Sequence, residues 1–268
     1  VALLPNNAQD MKNTIITILC MLALAGSASA QNARFTTSGV IEFEKSVNML
    51  AMMKKNISEN TGSFWQEMYD SYKRNQPQFK LLKSTLSFTG DKTLFTPIVE
   101  SEAGARSYFS NDPMVTQNNT IYSDLTAGLF TAQKKVYEET FLQKDSIRKI
   151  NWKLTSEMRT IAGYECRRAN AIILDSIYVV AFYTDKIPVS GGPESFTGLP
   201  GMILGVALPH ENITWFAKTV VDKPVPAAEL KAPVKGKPAD YKSLRKIIDD
   251  ALKGWGDYAR SALKAFTL

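Results

Sequence analysis

The chain has 268 residues, 44% of them hydrophobic and 22% charged, which is enough for one sizeable core and excludes general disorder. Lys and Arg number 32 against 26 Asp and Glu, a formal net charge of +6. Residues 223–268 hold ten Lys/Arg against five Asp/Glu, so +5 of that excess sits there and the near-neutral body offers no nucleic-acid surface.

Residues 1–10 have no clear role, and Met11 reads as the start. Lys12 precedes an apolar run over residues 15–24, and Ala28-Ser29-Ala30 closes the segment. A basic flank, a short apolar stretch and an A-x-A site make a secretory signal peptide. Residues 1–30 are therefore expected to be an upstream extension plus a cleaved signal, with Gln31 as the mature N-terminus. The run is shorter than the roughly 20 apolar residues a membrane span needs. An exported protein is expected, in the periplasm, associated with the outer membrane, or secreted. The mature chain keeps one cysteine, Cys166, which has no internal disulfide partner and reads as a small buried side chain.

Residues 31–222 carry the main pattern. A strand is expected over residues 34–43 and mainly helix over 47–74, split where Asn60-Thr61-Gly62-Ser63 breaks the spacing of Met and aromatic residues. The period then changes to two. Residues 79–88 and 93–99 read as a hairpin around Gly90-Asp91-Lys92, and residues 100–116 as a polar loop. Further strands are expected over 120–125, 134–141, 146–154, 157–162, 165–174 and 177–184, then 201–208 and 213–221. The fold class is thus mainly β, a β-rich α+β chain. The expected form is a curved antiparallel sheet or half-barrel with an N-terminal helical segment and a C-terminal amphipathic helix. Residues 223–238, rich in Pro, Ala and Lys, read as an extended linker. Residues 239–268 follow a helical stripe with Asp240 as its cap and a bend near Gly254 and Gly256.

Between two of these strands lies the densest backbone punctuation in the chain, Pro188 to Gly201, with glycine at 191, 192, 198 and 201 and proline at 188, 193 and 200. Such a loop is stiff and folded back. Its apolar side chains either plug the core or border an apolar pocket or docking surface. The candidate ligand- or partner-binding residues are Phe196, Gly198, Leu199, Pro200, Gly201 and Met202.

Catalytic signatures are sparse. His210 is the single histidine, at an expected hairpin tip, and no G-x-S-x-G elbow or phosphate-binding Gly-x-x-x-x-Gly-Lys motif occurs. One His and one mature Cys do not make a zinc set. The expectation is no cofactor, no metal and no enzyme activity. A hydrolase with dispersed residues stays as a third alternative.

The chain resembles the GLPGLI family of exported proteins from Bacteroidota envelopes. Gly198-Leu199-Pro200-Gly201-Met202-Ile203 carries the signature, with Met for the usual Leu. The segments Ile150-Asn151-Trp152-Lys153-Leu154, Gly163-Tyr164-Glu165-Cys166 and Tyr183-Thr184-Asp185-Lys186-Ile187-Pro188 are similar to its other motifs. The resemblance brings no catalytic residues. It implies a β-rich envelope protein, similar in pattern to carriers whose curved sheet wraps an apolar cavity. The leading expectation is a lipid or other apolar ligand held in a cleft of the sheet. The alternative is an interaction module serving an outer-membrane transporter or secretion complex, with peripheral membrane contact through the C-terminal helix.

Overall fold

The structure is a computed structural model that describes residues 12, 35–55, 57, 63–99, 112–116 and 119–268. The expected signal peptide over residues 11–30 and most of the loop over 100–116 lie outside the described residues. The chain divides into two units, Val1–Phe35 and Thr36–Leu268, and every element that follows belongs to the second.

Twelve strands form one open, curved sheet. They are β1 (Ser38–Asn48), β2 (Phe79–Thr89), β3 (Lys92–Pro97), β4 (Thr120–Asp124), β5 (Leu129–Val136), β6 (Glu139–Ser146), β7 (Lys153–Ile161), β8 (Tyr164–Ile173), β9 (Ile177–Thr184), β10 (Met202–Leu208), β11 (Ile213–Asp222) and β12 (Lys237–Ala239). Their order is β12-β6-β5-β4-β3-β2-β1-β11-β10-β9-β8-β7. Two antiparallel meanders, β1 to β6 and β7 to β11, are joined where β1 pairs with β11, and β12 adds in parallel to β6.

This order forces the sheet to roll. β6 and β7 are ten strand steps apart, about 48 Å if the sheet were flat. Residues 147–152 connect them, and a segment of that length reaches at most about 25 Å. The two ends of the sheet must therefore approach each other. The concavity shows in a second way: Leu268 borders one small cavity with Lys45 and Trp215 of β1 and β11 and another with Lys134 and Gln143 of β5 and β6.

Alternation explains which side chains face inward. On β1, Ile41, Phe43, Lys45 and Val47 are buried and their neighbours are not. Leu86 and Phe88 of β2, Ile121 of β4 and Trp215 of β11 join them in one core. β9 and β10 are buried on both faces. Helices α1 (Met49–Lys55) and α2 (Ser63–Asn75) bring Met49, Met53 and Tyr72 into that core, and the short α3 (Pro113–Thr116) adds Met114 and Val115.

Several expectations shift. The strand expected over 134–141 is a hairpin, β5 and β6, turning at Tyr137 with φ 52°. Tyr137 and Glu138 carry no glycine or proline signal, so the turn is invisible in the sequence. The strand expected over 146–154 is mostly the connector between β6 and β7. The linker is better packed than expected: Val225 and Leu230 are buried, and its end forms β12. The C-terminal helix is two, α4 (Tyr241–Ala251) and α5 (Gly256–Thr267), broken where Gly254 adopts φ 89°. Asp240 caps α4 through a reciprocal capping box with Ser243. Leu244, Ile248, Leu252, Ala262 and Phe266 bury against Val136 and Phe141, so the amphipathic stripe is spent on the end of the sheet.

Candidate functional site: a polar chamber under the C-terminal helix

Three cations point into the rolled sheet from separate elements. Lys45 and Lys134 hold inward positions on β1 and β5, and Arg148 lies on the connector between the two sheet ends. Each donates to a backbone carbonyl: Lys45 Nζ to Met114 at 3.1 Å, Lys134 Nζ to Phe266 at 3.0 Å, and Arg148 Nη2 to Thr267 at 2.6 Å. Lys45 also stands 5.2 Å from the centre of the Trp215 ring, its cross-strand partner. The counter-charges are Glu194 and Asp112. Asn119 Nδ2 donates to Glu194 Oε2 at 2.8 Å, and Asp112 Oδ1 accepts from the backbone of Met114 at 2.8 Å. Glu194 holds φ 50°, a left-handed conformation uncommon outside glycine, and so places its buried carboxyl at some conformational cost.

Burial sets the protonation of this group. It pulls Lys45 and Lys134 from the usual lysine range down to about 8, against the opposing pull of Glu194. Burial likewise lowers Arg148 and raises the Glu194 and Asp112 carboxyls, with Lys45 working against that rise in both acids. The lysines remain mainly cationic at neutral pH.

The last residues of α5 fill the space between these groups. Besides the bonds to Phe266 and Thr267, Ser195 Oγ donates to a terminal oxygen of Leu268. Cavities of about 20 and 30 Å³ remain on either side of Leu268. Outside them opens a cleft of about 760 Å³, between the ends of β5 and β6, residues 148–151, the β8–β9 turn and the start of α4. Its lining includes the apolar side chains Phe130, Ile150, Ile172 and Leu174 and the charged ones Arg148, Lys149, Lys242, Asp145 and Asp175.

The residues singled out from sequence fall differently. Phe196, Leu199 and Met202 are fully buried, with Phe196 packed 6.0 Å from Trp215 and bordering the smaller chamber. Leu199 and Met202 sit in the core. Gly198 and Pro200 are exposed. Gly201 is required by its surroundings: φ is 150°, and a Cβ there would lie 2.1 Å from the Thr184 carbonyl oxygen. Trp152 Nε1 pins the loop by donating to Thr197 O at 2.9 Å. The signature thus shapes the fold, while Glu194 and Ser195, earlier in the same loop, face the chamber. Lys45, Asn119, Lys134, Arg148 and Glu194 were not anticipated. The available signal was a lysine at inward parity in two strands, Phe43-Glu44-Lys45-Ser46-Val47 and Ala132-Gln133-Lys134-Lys135-Val136.

The other flagged residues lie apart. Cys166 is buried, with its thiol pushed up to about 12 by desolvation, which makes it unreactive. His210 is exposed in a short 3-10 turn over Pro209–Glu211. Among the described residues no group of three or more His, Cys, Asp or Glu converges to hold a metal, and no helix is long and apolar enough to cross a membrane.

Fold and site together define an open, rolled β-sheet domain with a charged interior closed by its own C-terminal helix. Residues 173–205, from the end of β8 through the signature loop into β10, match a family described as a protein of unknown function (Porph_ging). Two solved structures of PNGF-II are similar. One is 14% identical with a TM-score of 0.50, over 78% of this chain and 32% of that one. The other is 16% identical with a TM-score of 0.48, over 79% and 33%. The chain therefore spans about a third of those proteins, and at this identity the likeness concerns the fold alone. No curated protein matches the chain.

Proposed function

We propose that this chain is a non-enzymatic envelope protein of the GLPGLI type that holds an apolar-bodied ligand in the cleft of its rolled sheet. The observation that carries the reading is the cleft itself: about 760 Å³, lined by both apolar and charged side chains. That volume falls within the range of small-molecule sites. The envelope assignment is supported by the signal-like pattern over residues 11–30 and by the signature at 198–203. The test is mass spectrometry of solvent extracts from the full chain, purified without detergent. A stoichiometric apolar molecule is expected, with loss of that molecule in Ile172→Asp, whose exposed side chain lines the cleft. A protein that carries nothing and shows no thermal shift across a panel of lipids sinks the reading.

A second reading has one observation in its favour. Trp255 and Tyr258, ring centres 5.7 Å apart, are exposed at the break between α4 and α5 on the basic tail. They offer an aromatic contact to a membrane surface or protein partner.

A further inference from the structure

The cleft continues behind its visible wall. Phe130, Gln143 and Arg148 line both the cleft and the cavity of about 30 Å³ behind it. Among the described residues, Arg148 Nη1 and Gln143 Oε1 are buried without a hydrogen-bond partner. One half of the Arg148 fork is filled by Thr267 O at 2.6 Å and the other half is unfilled. A guanidinium in that state suits a two-oxygen anion. Lys134 stands behind it, giving its proton to Phe266 O at 3.0 Å. Both cations are thus met by neutral backbone oxygens. The acid that acts on Lys134 is Glu194, which already accepts from Asn119.

Resting on the proposed reading of the cleft, the geometry points to an amphipathic acid as the ligand, its anionic head bound by Arg148 and Lys134 in place of the carbonyls of Thr267 and Phe266. The apolar chain lies along Ile150, Ile172 and Leu174. The head, a carboxylate or a phosphate monoester, gives Arg148 and Lys134 a charged partner in place of those two carbonyls. Residues 265–268 are then a built-in occupant that withdraws on binding. Their seat is made by Phe266 in the small cluster with Val136 and Phe141, by Ala265 and Leu268 in the main core, and by the Ser195 bond to Leu268.

The test is a fluorescence-displacement titration of the full chain with a long-chain fatty acid, its methyl ester and an alkyl phosphate of equal length. The acid is expected to bind at least about tenfold tighter than the ester, since hydrogen bonds to charged groups carry that difference. Tighter binding of the alkyl phosphate than of the fatty acid assigns the head as phosphate, and the reverse order assigns it as carboxylate. Arg148→Gln should bring the acid down to the ester's affinity. Ser195→Ala, which loosens the occupant, should strengthen the acid and leave the ester unchanged. Equal binding of acid and ester by the native chain overturns the inference and leaves the cleft reading standing. Binding of none of the three removes both. Should Arg148→Gln not fold, the native acid-to-ester ratio still decides.

Discussion

On β9 and β10 nearly every side chain is buried, and apolar residues fill both faces. On β1, β5 and β6 the same inward parity delivers Lys45, Lys134 and Gln143. The inner face thus has an apolar part over β9 and β10, its dry end, and a part over β1, β5 and β6 that also carries charge, its wet end. The dry end gains stability from each buried side chain. The wet end spends it, because a buried cation costs several kcal/mol before its partners offset part of that cost. A fold that needed only stability would carry Met or Leu at positions 45 and 134. The contrast separates what holds the sheet together from what the proposed ligand would meet.

The dry end should be the less forgiving. Gly201→Val sets a side chain against the Thr184 carbonyl at a backbone angle of 150°, with no flexible neighbour to yield. The expected loss is about 4 kcal/mol or more, on the scale of a disrupted core, read from the urea midpoint of the full chain. A loss near 1 kcal/mol would mean that the signature loop is not the rigid part described.

The wet end should respond to pH instead. Lys134 titrates at about 8 when folded and near 10.5 when unfolded, so between those values the unfolded chain binds the extra proton. Stability from this group therefore rises with pH across that window, by about 3 kcal/mol in total. Lys134→Met removes the charge and leaves the Phe266 carbonyl without its donor. Two opposing costs then leave it within about 1 kcal/mol of the native chain at pH 7, or more stable. The native chain should gain on the variant as pH climbs from 8 to 10.5. Parallel curves would show that Lys134 is not buried as a cation, and the contrast between the two ends would collapse.

Trp152→Phe tests the tie between the two regions. Its indole donates to Thr197 O at 2.9 Å, next to Ser195 and Phe196. Loss of that bond should cost about 1 kcal/mol. If Ser195 is positioned through it, the occupant should loosen and binding of an anionic probe should strengthen, as in Ser195→Ala. Loss of stability without a change in binding would confine Trp152 to the dry end.

These two ends also mark how far the sequence could be read. Ile177–Thr184 and Met202–Leu208 were legible as strands because apolar, β-branched and aromatic residues dominate them. The glycines and prolines announced a stiff loop between them. The β5–β6 turn was not legible, since Tyr137-Glu138 looks like more strand. The chamber was hidden for a different reason. Lys45, Asn119, Lys134, Arg148 and Glu194 are far apart in sequence, and each alone reads as an ordinary surface charge or amide. Only the roll of the sheet, forced by the short connector over 147–152, brings them together. The candidates at 198–202 were chosen for backbone rarity, a mark that glycine-dependent packing produces as readily as a binding site.

The smallest expected effect concerns the tail outside both regions. The apolar stripe of α4 and α5 is already committed to Val136 and Phe141, so their outward face has little packing left to lose. Trp255 is 62% exposed at the break between the helices. Trp255→Ser should therefore move folding stability by no more than about 0.5 kcal/mol in urea. Its value is in vesicle flotation with anionic lipid. A severalfold drop in bound protein would place the aromatic pair at the membrane interface, where such rings settle. Unchanged flotation would leave the tail's basic charge as the whole of its attraction. The tail would then contribute to the protein chiefly by seating residues 265–268 inside the sheet.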